Sequence, residues 1–571
     1  MKRLISIVIT GWMLAAVPVS AMVKPELILG VQGVDGDMRS NVESRLKIER
    51  EEVHDRINTA GVSHFARVSV SAVRDAIAPY GYFKPSVRAE VRHQGNVWRI
   101  IYHIRPGRPV RVRSVHVRVM GAGADNPKIL RTIKEFPLKT GDVFNSVIYS
   151  SERDKLFDVV NNQGYIKAAA EESKVLVNTD TYTADIRLIL KTNEQYYFGK
   201  MTFHQDVYSE AFINRFNIFQ HNEPFSSNKL LSYQQDMNNS RFFKQVIVVP
   251  NLDHTDGVYV PIQASIVPIN YRRYAFGIGY GTFTGPRLTA GVNLRRLTNT
   301  GHAFDAQVKL SSVLSGVVFK YYIPGKDPLN EQWIMGANYQ KFVPKNGSSN
   351  SRTLAFGYSR KMHHWSFVAN INYLWERYRV LTEPTQNSQL LYPNLNLTYL
   401  KTDNIVQPTY GRSLNLVLQG GSSDLVSTTS FMQGEIKGKL FMTPVSFAHI
   451  ILRGDVGYTV VHDLIDLPLS MRFFAGGMTS IRGFPDSSIG PGKYLGVASI
   501  EYRNHIAYDI SGAIFYDVGT ATNHFDEPLS RGAGVGLVYE SVVGPIKVYA
   551  ARALSKKGHP YQIEFSMGPE F

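Results

Sequence analysis

The sequence predicts α+β modules with the element order β-α-α-β-β, followed by a 16-stranded antiparallel transmembrane β-barrel. Three observations lead to this fold class. Helical and strand patterns alternate before about residue 270, and their order recurs with a period of about 80 residues. From residue 272 onward, apolar and polar residues alternate in runs roughly 19 residues apart, the spacing of barrel strands with their turns. Beyond the N-terminus, no segment has the roughly 18 uncharged apolar residues of a membrane-spanning helix.

The N-terminus has the pattern of a secretory signal peptide. Lys2 and Arg3 precede the largely apolar residues 4–17, and small residues follow up to Ala21. The apolar run is short for a spanning helix, so we expect a signal peptide at residues 1–21. The sequence contains no cysteine, which excludes disulfide scaffolds and cysteine-ligated metal sites.

The net charge of +16 restricts the possible partners. Nucleic acid is the usual partner of a basic chain, but export excludes it. Anionic lipids, lipopolysaccharide phosphates and acidic partner proteins remain. A cluster of arginines between residues 105 and 118 is either a solvated strand face or a contact with a lipid or partner. Its members are Arg105, Arg108, Arg111, Arg113 and Arg118.

Three similar blocks make up the first half of the sequence. Each has an amphipathic helix, such as residues 142–162 or 227–240, then a short turn motif and a hairpin-like pair of strands. A Gly-Tyr pair marks the turn in the first two blocks, whereas the third has Ser240-Arg241-Phe242. This period suits small α+β modules, and one larger mixed α/β domain is the alternative. The predicted strand pairs are 87–93 with 97–104, 168–177 with 183–191, and 245–252 with 259–268.

Strand-like alternation begins at Arg272 and continues to the end of the sequence. We count about 16 strands, an even number as bacterial barrels require. In the last strand, apolar residues alternate with polar ones, which predicts lipid on one face and water on the other. We therefore expect this strand to close the barrel and to mark the chain for assembly. Its apolar register holds Tyr561, Ile563, Phe565, Met567 and Phe571.

The longest connection of the predicted barrel lies within residues 458–493, after strand eleven. With the modules in the periplasm, odd-numbered strands run outward, so this loop starts on the extracellular side. It contains the sequence GGMTSIRGF at residues 476–484, and the acidic residues Glu501 and Asp517 lie downstream. An arginine inside a barrel is costly unless carboxylates pair with it, and its planar fork suits two acceptors at once.

This loop, the acidic positions and the glycine-rich residues 532–536 resemble the BamA/TamA superfamily of outer-membrane-protein insertases and secretion pores. The repeated block resembles the POTRA domain, so the resemblance covers nearly the whole chain. It implies a Gram-negative outer-membrane protein whose modules lie in the periplasm. The implied domains are POTRA modules at residues 24–106, 107–195 and 196–268, and a barrel at residues 270–571.

The same resemblance implies that the long loop folds back into the lumen as a lock. Arg482 would then meet Glu501 and Asp517 on the inner wall. Gly483 would let the chain turn tightly, and Phe484 would wedge the tip of the loop. The alternative is an ordinary surface loop whose arginine is solvated.

The first and last barrel strands predict a weak lateral seam. Gly277, Gly279 and Gly281 leave one face of the first strand without side chains, and Gly568 and Pro569 lie near the end of the last strand. Glycine weakens a strand and proline cannot donate to its ladder. A frayed seam can open sideways and offer a strand edge to an incoming strand. Alternatively, the glycines only make room for the returning loop.

Within that superfamily, the length of this chain best matches the length of TamA family members. This resemblance implies the assembly of barrel proteins such as autotransporters together with a TamB-like, inner-membrane-anchored periplasmic partner. It implies no cofactor and no catalytic residue, because substrate folding and strand pairing supply the free energy. Relatives often carry the pattern Ser-Pro-x-Gly-Pro before the penultimate strand. Residues 541–545 lack the first proline of this pattern, and the acidic residue that often follows the pattern is also missing. A two-partner-secretion pore and a lipid-transport role are the alternatives. A barrel enzyme would need a catalytic Ser/His set and a passive porin a charged constriction, and we find neither at convincing spacing.

Overall fold

The computed structural model describes most of the chain beyond the predicted signal peptide, which itself lies outside the described residues, as do Pro569 and Phe571. The described residues are 26–51, 57–281, 285–380, 384–524, 526–541, 544–568 and 570. They divide into two compact units. The first contains the described residues up to 200 with 221–228 and 251–261, and the second contains 201–220, 229–250 and the residues from 262 onward.

The first module packs two helices against a three-stranded sheet. Helix α2 begins after Asn58, whose side-chain oxygen accepts the Gly61 N–H at 2.8 Å. Its buried face includes Val62, Phe65 and Val73, which recur at helical spacing. The sheet order is β1-β3-β2, with β1 parallel to β3. The elements are β1 Glu26–Gln32, α1 Gly36–Glu51, α2 Thr59–Ile77, β2 Ser86–Gln94 and β3 Val97–Arg105.

The next two modules repeat this order, with sheets β4-β6-β5 and β7-β9-β8. Asn145 caps α4 by accepting the N–H groups of Val147 and Ile148, so this helix begins at Ser146 rather than at the predicted residue 142. The second module contains β4 Arg111–Met120, α3 Pro127–Lys134, α4 Ser146–Asn161, β5 Ala169–Asn178 and β6 Thr183–Lys191. The third contains β7 Tyr197–His204, α5 Glu210–Ile213, α6 Ser227–Asn239, β8 Phe243–Pro250 and β9 Tyr259–Pro268.

Glycines form the joints between consecutive modules. Gly81 has φ +89°, and a Cβ added there would lie 2.3 Å from the Phe144 carbonyl oxygen. Gly164 has φ +88°, and its Cβ would lie 2.4 Å from the Tyr196 carbonyl oxygen. Both positions require a left-handed backbone and a close approach to the next module, which only glycine permits. The module boundaries predicted from the sequence stay predictions.

The third module has no such glycine because its turn meets a barrel strand instead. Arg241 Nη1 donates to the Gln332 side chain at 2.7 Å, and its guanidinium lies over the Tyr322 ring at 5.4 Å. Phe212 packs against Gly301 so closely that a Cβ on this glycine would lie 2.4 Å from the ring. This part of the third module therefore belongs to the same compact unit as the barrel strands.

Sixteen antiparallel strands follow in one sheet, each paired with its neighbours along the chain. The sheet is not closed, since no β-ladder joins β10 to β27 among the described residues. The long connection after the eleventh strand carries a small sheet of its own. The elements are β10 Arg272–Gly281, β11 Gly285–Leu294, β12 Ala303–Leu310, β13 Leu314–Pro324, β14 Glu331–Phe342, β15 Gly347–Met362, β16 Trp365–Val380, β17 Gln386–Thr402, β18 Gly411–Gly421, β19 Phe431–Val445, β20 Ala448–Val461, the loop strands β21 Phe473–Ala475 and β22 Ile489–Gly492, then β23 Tyr494–Ala507, β24 Ile510–Thr522, β25 Ser530–Ser541, β26 Gly544–Ala553 and β27 Tyr561–Met567.

The fold thus consists of POTRA-like β-α-α-β-β modules followed by a 16-stranded antiparallel sheet, as predicted. Within the described part of the chain, no helix is long and apolar enough to cross a membrane.

Candidate functional site: a loop in the lumen and an open seam

Arg482, in the long loop, is held by two acidic residues of the barrel wall. Its Nε and Nη2 donate to the two oxygens of Asp517 at 2.8 Å each, and its Nη1 pairs with Glu501. The main-chain N–H of Arg482 also donates to Asp517, at 2.9 Å. Arg482 is 1% exposed and Asp517 is fully buried. The loop therefore returns to the lumen with its arginine paired, which excludes the solvated surface loop.

Two aromatic rings and a hydroxyl complete the surroundings of the arginine. The guanidinium carbon lies 3.6 Å from the Phe515 ring centre and 4.9 Å from that of Tyr549. Ser499 accepts from Arg482 Nη2 at 3.2 Å and donates to Asp517 at 2.6 Å. A planar cation can stack on rings while its edge donates hydrogen bonds, so the pocket uses both properties of arginine.

Glu501 extends this network along the wall. One of its oxygens accepts from Arg503 Nε at 2.6 Å and from the Tyr549 hydroxyl at 2.7 Å, and its other oxygen pairs with Arg482. Arg503 is 2% exposed and also contacts Glu570, at 3.2 Å. A continuous chain of charges thus runs from Asp517 through two arginines to the segment after β27.

Two glycines allow the loop tip to lie against the wall. Gly483 has φ +90°, and a Cβ there would lie 2.8 Å from the main-chain carbonyl carbon of Arg552. Its N–H donates to Glu564 of β27 at 2.7 Å. On the wall, a Cβ on Gly532 would lie 1.9 Å from the Arg482 carbonyl oxygen. Gly532 of β25 is therefore a wall glycine that makes room for the loop tip.

Phe484 anchors the tip in an apolar cluster. It packs with Phe473 and Ile481 of the same loop and with Leu495 and Ala553 of the wall. Further hydrogen bonds join other parts of the loop to the wall. The pairs are Arg453 Nη1 to the Met478 carbonyl at 3.0 Å, Gln433 Nε2 to the Met471 carbonyl at 2.8 Å, Tyr378 hydroxyl to the Ile465 carbonyl at 2.7 Å, and the Ser470 N–H to Glu376 at 3.0 Å.

The first strand presents an apolar outer face and an empty inner face. Phe276 and Ile278 are 81% and 89% exposed. Among the described residues, a Cβ on Gly277 would meet only Thr289 Cβ, at 3.9 Å, and one on Gly279 would meet nothing within 4 Å. The steric explanation for these two glycines is therefore wrong. Gly281 continues β10 beside them, where it pairs with Gly285.

The other side of the seam is the seven-residue strand β27. Its alternate residues Tyr561, Ile563 and Met567 are exposed. Phe565 shares this register and is 37% exposed, whereas Glu564 of the opposite register is buried. Gly568 follows with φ +152°. The gap in the described sheet thus lies between the two strands of the predicted seam, and the opening of that seam stays a prediction; Pro569 lies outside the described residues.

Sequence reasoning missed several residues of this network. Arg503 lies two residues after Glu501 and thus on the same strand face, a signal that was available. Glu564 and Glu570 lie in the polar register of the last strand, but nothing local distinguishes them from other lumen residues. The missed residues are Ser499, Arg503, Phe515, Gly532, Tyr549, Glu564 and Glu570.

Part of the predicted arginine cluster has structural partners. Arg113 and Ser114 hydrogen-bond the carboxylate of Asp185 and lower its pKa from 3.8 to about 2. Arg111 Nη1 donates to the Gly141 carbonyl at 2.7 Å, and Arg108 lies over the Tyr182 ring at 5.0 Å. These contacts favour a structural role for three of the five arginines, Arg108, Arg111 and Arg113. For Arg105 and Arg118, both predicted alternatives, a solvated strand face and a contact with a lipid or partner, stay predictions.

Comparison with known proteins matches this architecture. The Omp85 superfamily domain matches residues 257–571, and the POTRA domain TamA domain 1 matches residues 29–106. The chain is 20% identical over 482 residues to outer membrane protein assembly factor BamA of Nitratidesulfovibrio vulgaris, covering 78% of this chain and 60% of that protein. The chain thus spans less than two thirds of that relative.

A solved BamA structure has the same fold. BamA from Haemophilus ducreyi lacking POTRA domains 1–3 superposes with a TM-score of 0.69 at 18% identity, covering 80% of this chain and 99% of that one. CdiB from Acinetobacter baumannii has a TM-score of 0.46 at 11% identity, covering 93% and 98%. The chain belongs to the Omp85 superfamily, with its barrel in the outer membrane and its modules, the first of TamA type, in the periplasm.

Proposed function

We propose that this protein inserts β-barrel proteins into the outer membrane through the seam between β10 and β27. The observation that carries the proposal is the open sheet, in which the described residues of these two strands form no ladder with each other. An unpaired strand edge exposes a row of N–H and C=O groups that can template another strand. In lipid such groups must find partners, so an incoming strand gains stability by pairing there.

The lumen loop has a supporting role in this mechanism. Arg482 ties the loop to β23 and β24, and Gly483 ties it to β27. These strands form the wall beside the seam. The loop thereby fixes the position of the wall while the edge of β10 exchanges partners. No step needs a catalytic residue or a nucleotide, because strand pairing and substrate folding supply the free energy.

The substrates and partners are proposed from the family resemblance. The TamA-type first module supports autotransporters as substrates and a TamB-like periplasmic protein as partner. The net charge of +16 suits contacts with anionic lipids and lipopolysaccharide phosphates. A secretion pore would instead carry an unfolded chain through the lumen, where the loop now lies. A lipid-transport role with the same partner is the remaining alternative.

Crosslinking of the seam in proteoliposomes tests the proposal. The chain has no cysteine, so a pair can be added at Gly277 and Ser566 and joined with a bismaleimide. We expect crosslinked protein to lose insertion of an autotransporter barrel, measured as its heat-modifiable fraction. A control pair at Thr289 and Lys309, which face each other in the β11–β12 ladder, should leave insertion intact. Normal insertion by the seam-crosslinked protein would contradict the proposal.

A further inference from the structure

Glu570, in the segment that follows β27, is held in the lumen by three cations. The Glu570 side chain is 3% exposed. Its carboxylate lies 2.6 Å from Lys439 Nζ, 2.8 Å from Lys547 Nζ and 3.2 Å from Arg503 Nη1. These cations come from β19, β26 and β23. We call Lys439, Arg503 and Lys547 the carboxylate cradle.

The contact with β19 shows that the backbone has left the wall. β19 is the tenth strand of the sheet and β27 the sixteenth, so about 29 Å of wall separates them at about 4.8 Å per strand. Lys439 Nζ nevertheless reaches both the carboxylate and the main-chain carbonyl oxygen of Glu570. A side chain from so distant a strand meets this main-chain atom only if the backbone there points into the lumen. Gly568, in a backbone conformation that favours glycine, precedes this inward segment.

Electrostatics stabilise the inward position. The cradle side chains are 2% to 19% exposed, and cations withdrawn from water are costly unless an anion pairs with them. Glu570 contacts all three. Glu540, a neighbouring acid, lies 3.9 Å from Arg503 and is 30% exposed, so its contact with the cradle is weaker. Releasing Glu570 would therefore leave a cluster of buried positive charge.

The cradle is continuous with the loop lock. Arg503 donates to Glu501 at 2.6 Å, and Glu501 pairs with Arg482 of the loop. The loop also holds β27 directly, through the hydrogen bond from the Gly483 N–H to Glu564. One network therefore fixes both the loop and the segment after β27.

We propose that Lys439, Arg503 and Lys547 are positioning residues for the seam, which bind Glu570 and thereby hold the segment after β27 away from the edge of β10. This inference deepens the proposed function and rests on it. A segment released from the cradle would return to the wall, where pairing with β10 satisfies the backbone groups of both. The cradle keeps that edge available to a substrate strand.

The rate of disulfide formation across the seam tests this in the full chain inserted in membranes. Cysteines replace Gly277 and Ser566, and the rate is measured only in the heat-modifiable, folded fraction. We expect a severalfold faster rate in Glu570→Gln and in Lys547→Met than in the parent pair. Lys547→Arg keeps the cation and Glu540→Gln leaves the three cradle contacts intact, so both should retain the parent rate.

The outcomes separate this inference from the proposed function. Parent rates in both Glu570→Gln and Lys547→Met overturn the cradle, whatever the insertion activity. An equal rise in the Glu540→Gln control indicates general loosening and also overturns it. Faster disulfide formation in Glu570→Gln and Lys547→Met, together with loss of insertion by these variants, supports both proposals. A faster rate with full insertion supports the cradle and contradicts the seam as the place of insertion.

Discussion

At the residue scale, the lumen network is a chain of buried charges that depend on one another. Asp517 receives three N–H groups from Arg482, and Glu501 joins Arg482 to Arg503. Buried ion pairs often add little over a well-packed apolar core, but removing one partner leaves the other charge uncompensated. The network is therefore sensitive to the loss of any single member.

We expect Arg482→Ala to destabilise the barrel by about 3–5 kcal/mol, because it leaves buried Asp517 without its principal partner. Urea unfolding in lipid vesicles, followed by heat-modifiability, measures the change. The control is Arg360→Ala, which removes a half-exposed arginine 3.5 Å from Glu331 and should cost at most about 1 kcal/mol. Equal effects of the two substitutions would show that Arg482 does not act as a lock.

Gly532→Ala should also displace the loop, since the added Cβ would lie 1.9 Å from the Arg482 carbonyl oxygen. Overpacking of this kind costs about 1–3 kcal/mol. Gly496→Ala is the matched control, because a Cβ there meets nothing within 4 Å. Protease cleavage within residues 462–493 should accelerate in the first variant only. An intact loop in Gly532→Ala would contradict the close approach.

The resemblance to the superfamily predicts the meeting of Arg482 with Glu501 and Asp517, and the contact has a physical reason. An arginine in a lumen needs carboxylates, and the two acids lie on the neighbouring strands β23 and β24. The contact of Glu570 with Lys439 could not be predicted in this way. It spans six strands and depends on where the backbone leaves the wall, which the alternation of side chains does not encode.

At the element scale, the joints between modules explain the repeat seen in the sequence. Gly81 and Gly164 occupy the same turn in successive modules, and each touches a main-chain carbonyl of the next. The third block lacks this glycine because Arg241 meets Gln332 of the barrel instead. The period of the modules could thus be predicted from local patterns, whereas the exception depends on the element that follows.

Substituting Gly164 with alanine should loosen the second joint. The left-handed backbone costs an L-residue about 1–2 kcal/mol, and the clash with the Tyr196 carbonyl adds to it. Gly141→Ala controls for the first effect, because Gly141 has φ +97° but nothing lies within 4 Å of its Cβ. Hydrogen exchange of residues 192–200 should rise in Gly164→Ala beyond the level of Gly141→Ala. Equal exchange in both variants would argue against the joint.

The turn between β17 and β18 carries a pH-dependent contact. Thr409 and main-chain N–H groups, among them those of Asn404 and Tyr410, hydrogen-bond the Asp403 carboxylate and lower its pKa from 3.8 to about 2. Because the folded pKa is depressed, the stabilisation is complete above pH 3.8 and is lost as the pH falls through about 2.

Protease cleavage within residues 403–410 should therefore be slow at pH 5 and should accelerate as the pH approaches 2, with pepsin as the acid-stable protease. In Asp403→Asn the carboxylate is absent, so cleavage should already be fast at pH 5. An identical pH profile for both proteins would show that Asp403 does not hold the turn.

At the scale of the whole molecule, the fold combines a sheet whose described strands do not close into a ring with a network of ion pairs inside the lumen. The gap lies between β10 and β27, and the ion pairs join the loop, the wall and Glu570 after β27. A wall that lacks one ladder loses rigidity at the seam. The network of ion pairs compensates for that loss from inside the barrel, so the gap and the network act together.

This coupling predicts that Arg482→Ala and Glu570→Gln will not act independently. Arg482 contacts Glu501 and Glu570 contacts Arg503, and Glu501 and Arg503 pair with each other. Each substitution therefore weakens the ion pair through which the other side chain is held. In a double-mutant cycle on urea unfolding, we expect an interaction energy of about 0.5–3 kcal/mol. Arg360 pairs with Glu331, whereas Arg482 pairs with Glu501 and Asp517, so Arg360→Ala should combine with Arg482→Ala additively, within about 0.5 kcal/mol. Additive effects of Arg482→Ala and Glu570→Gln would mean that the loop and the segment after β27 are fixed separately, and that the loop cannot influence the seam through the wall charges.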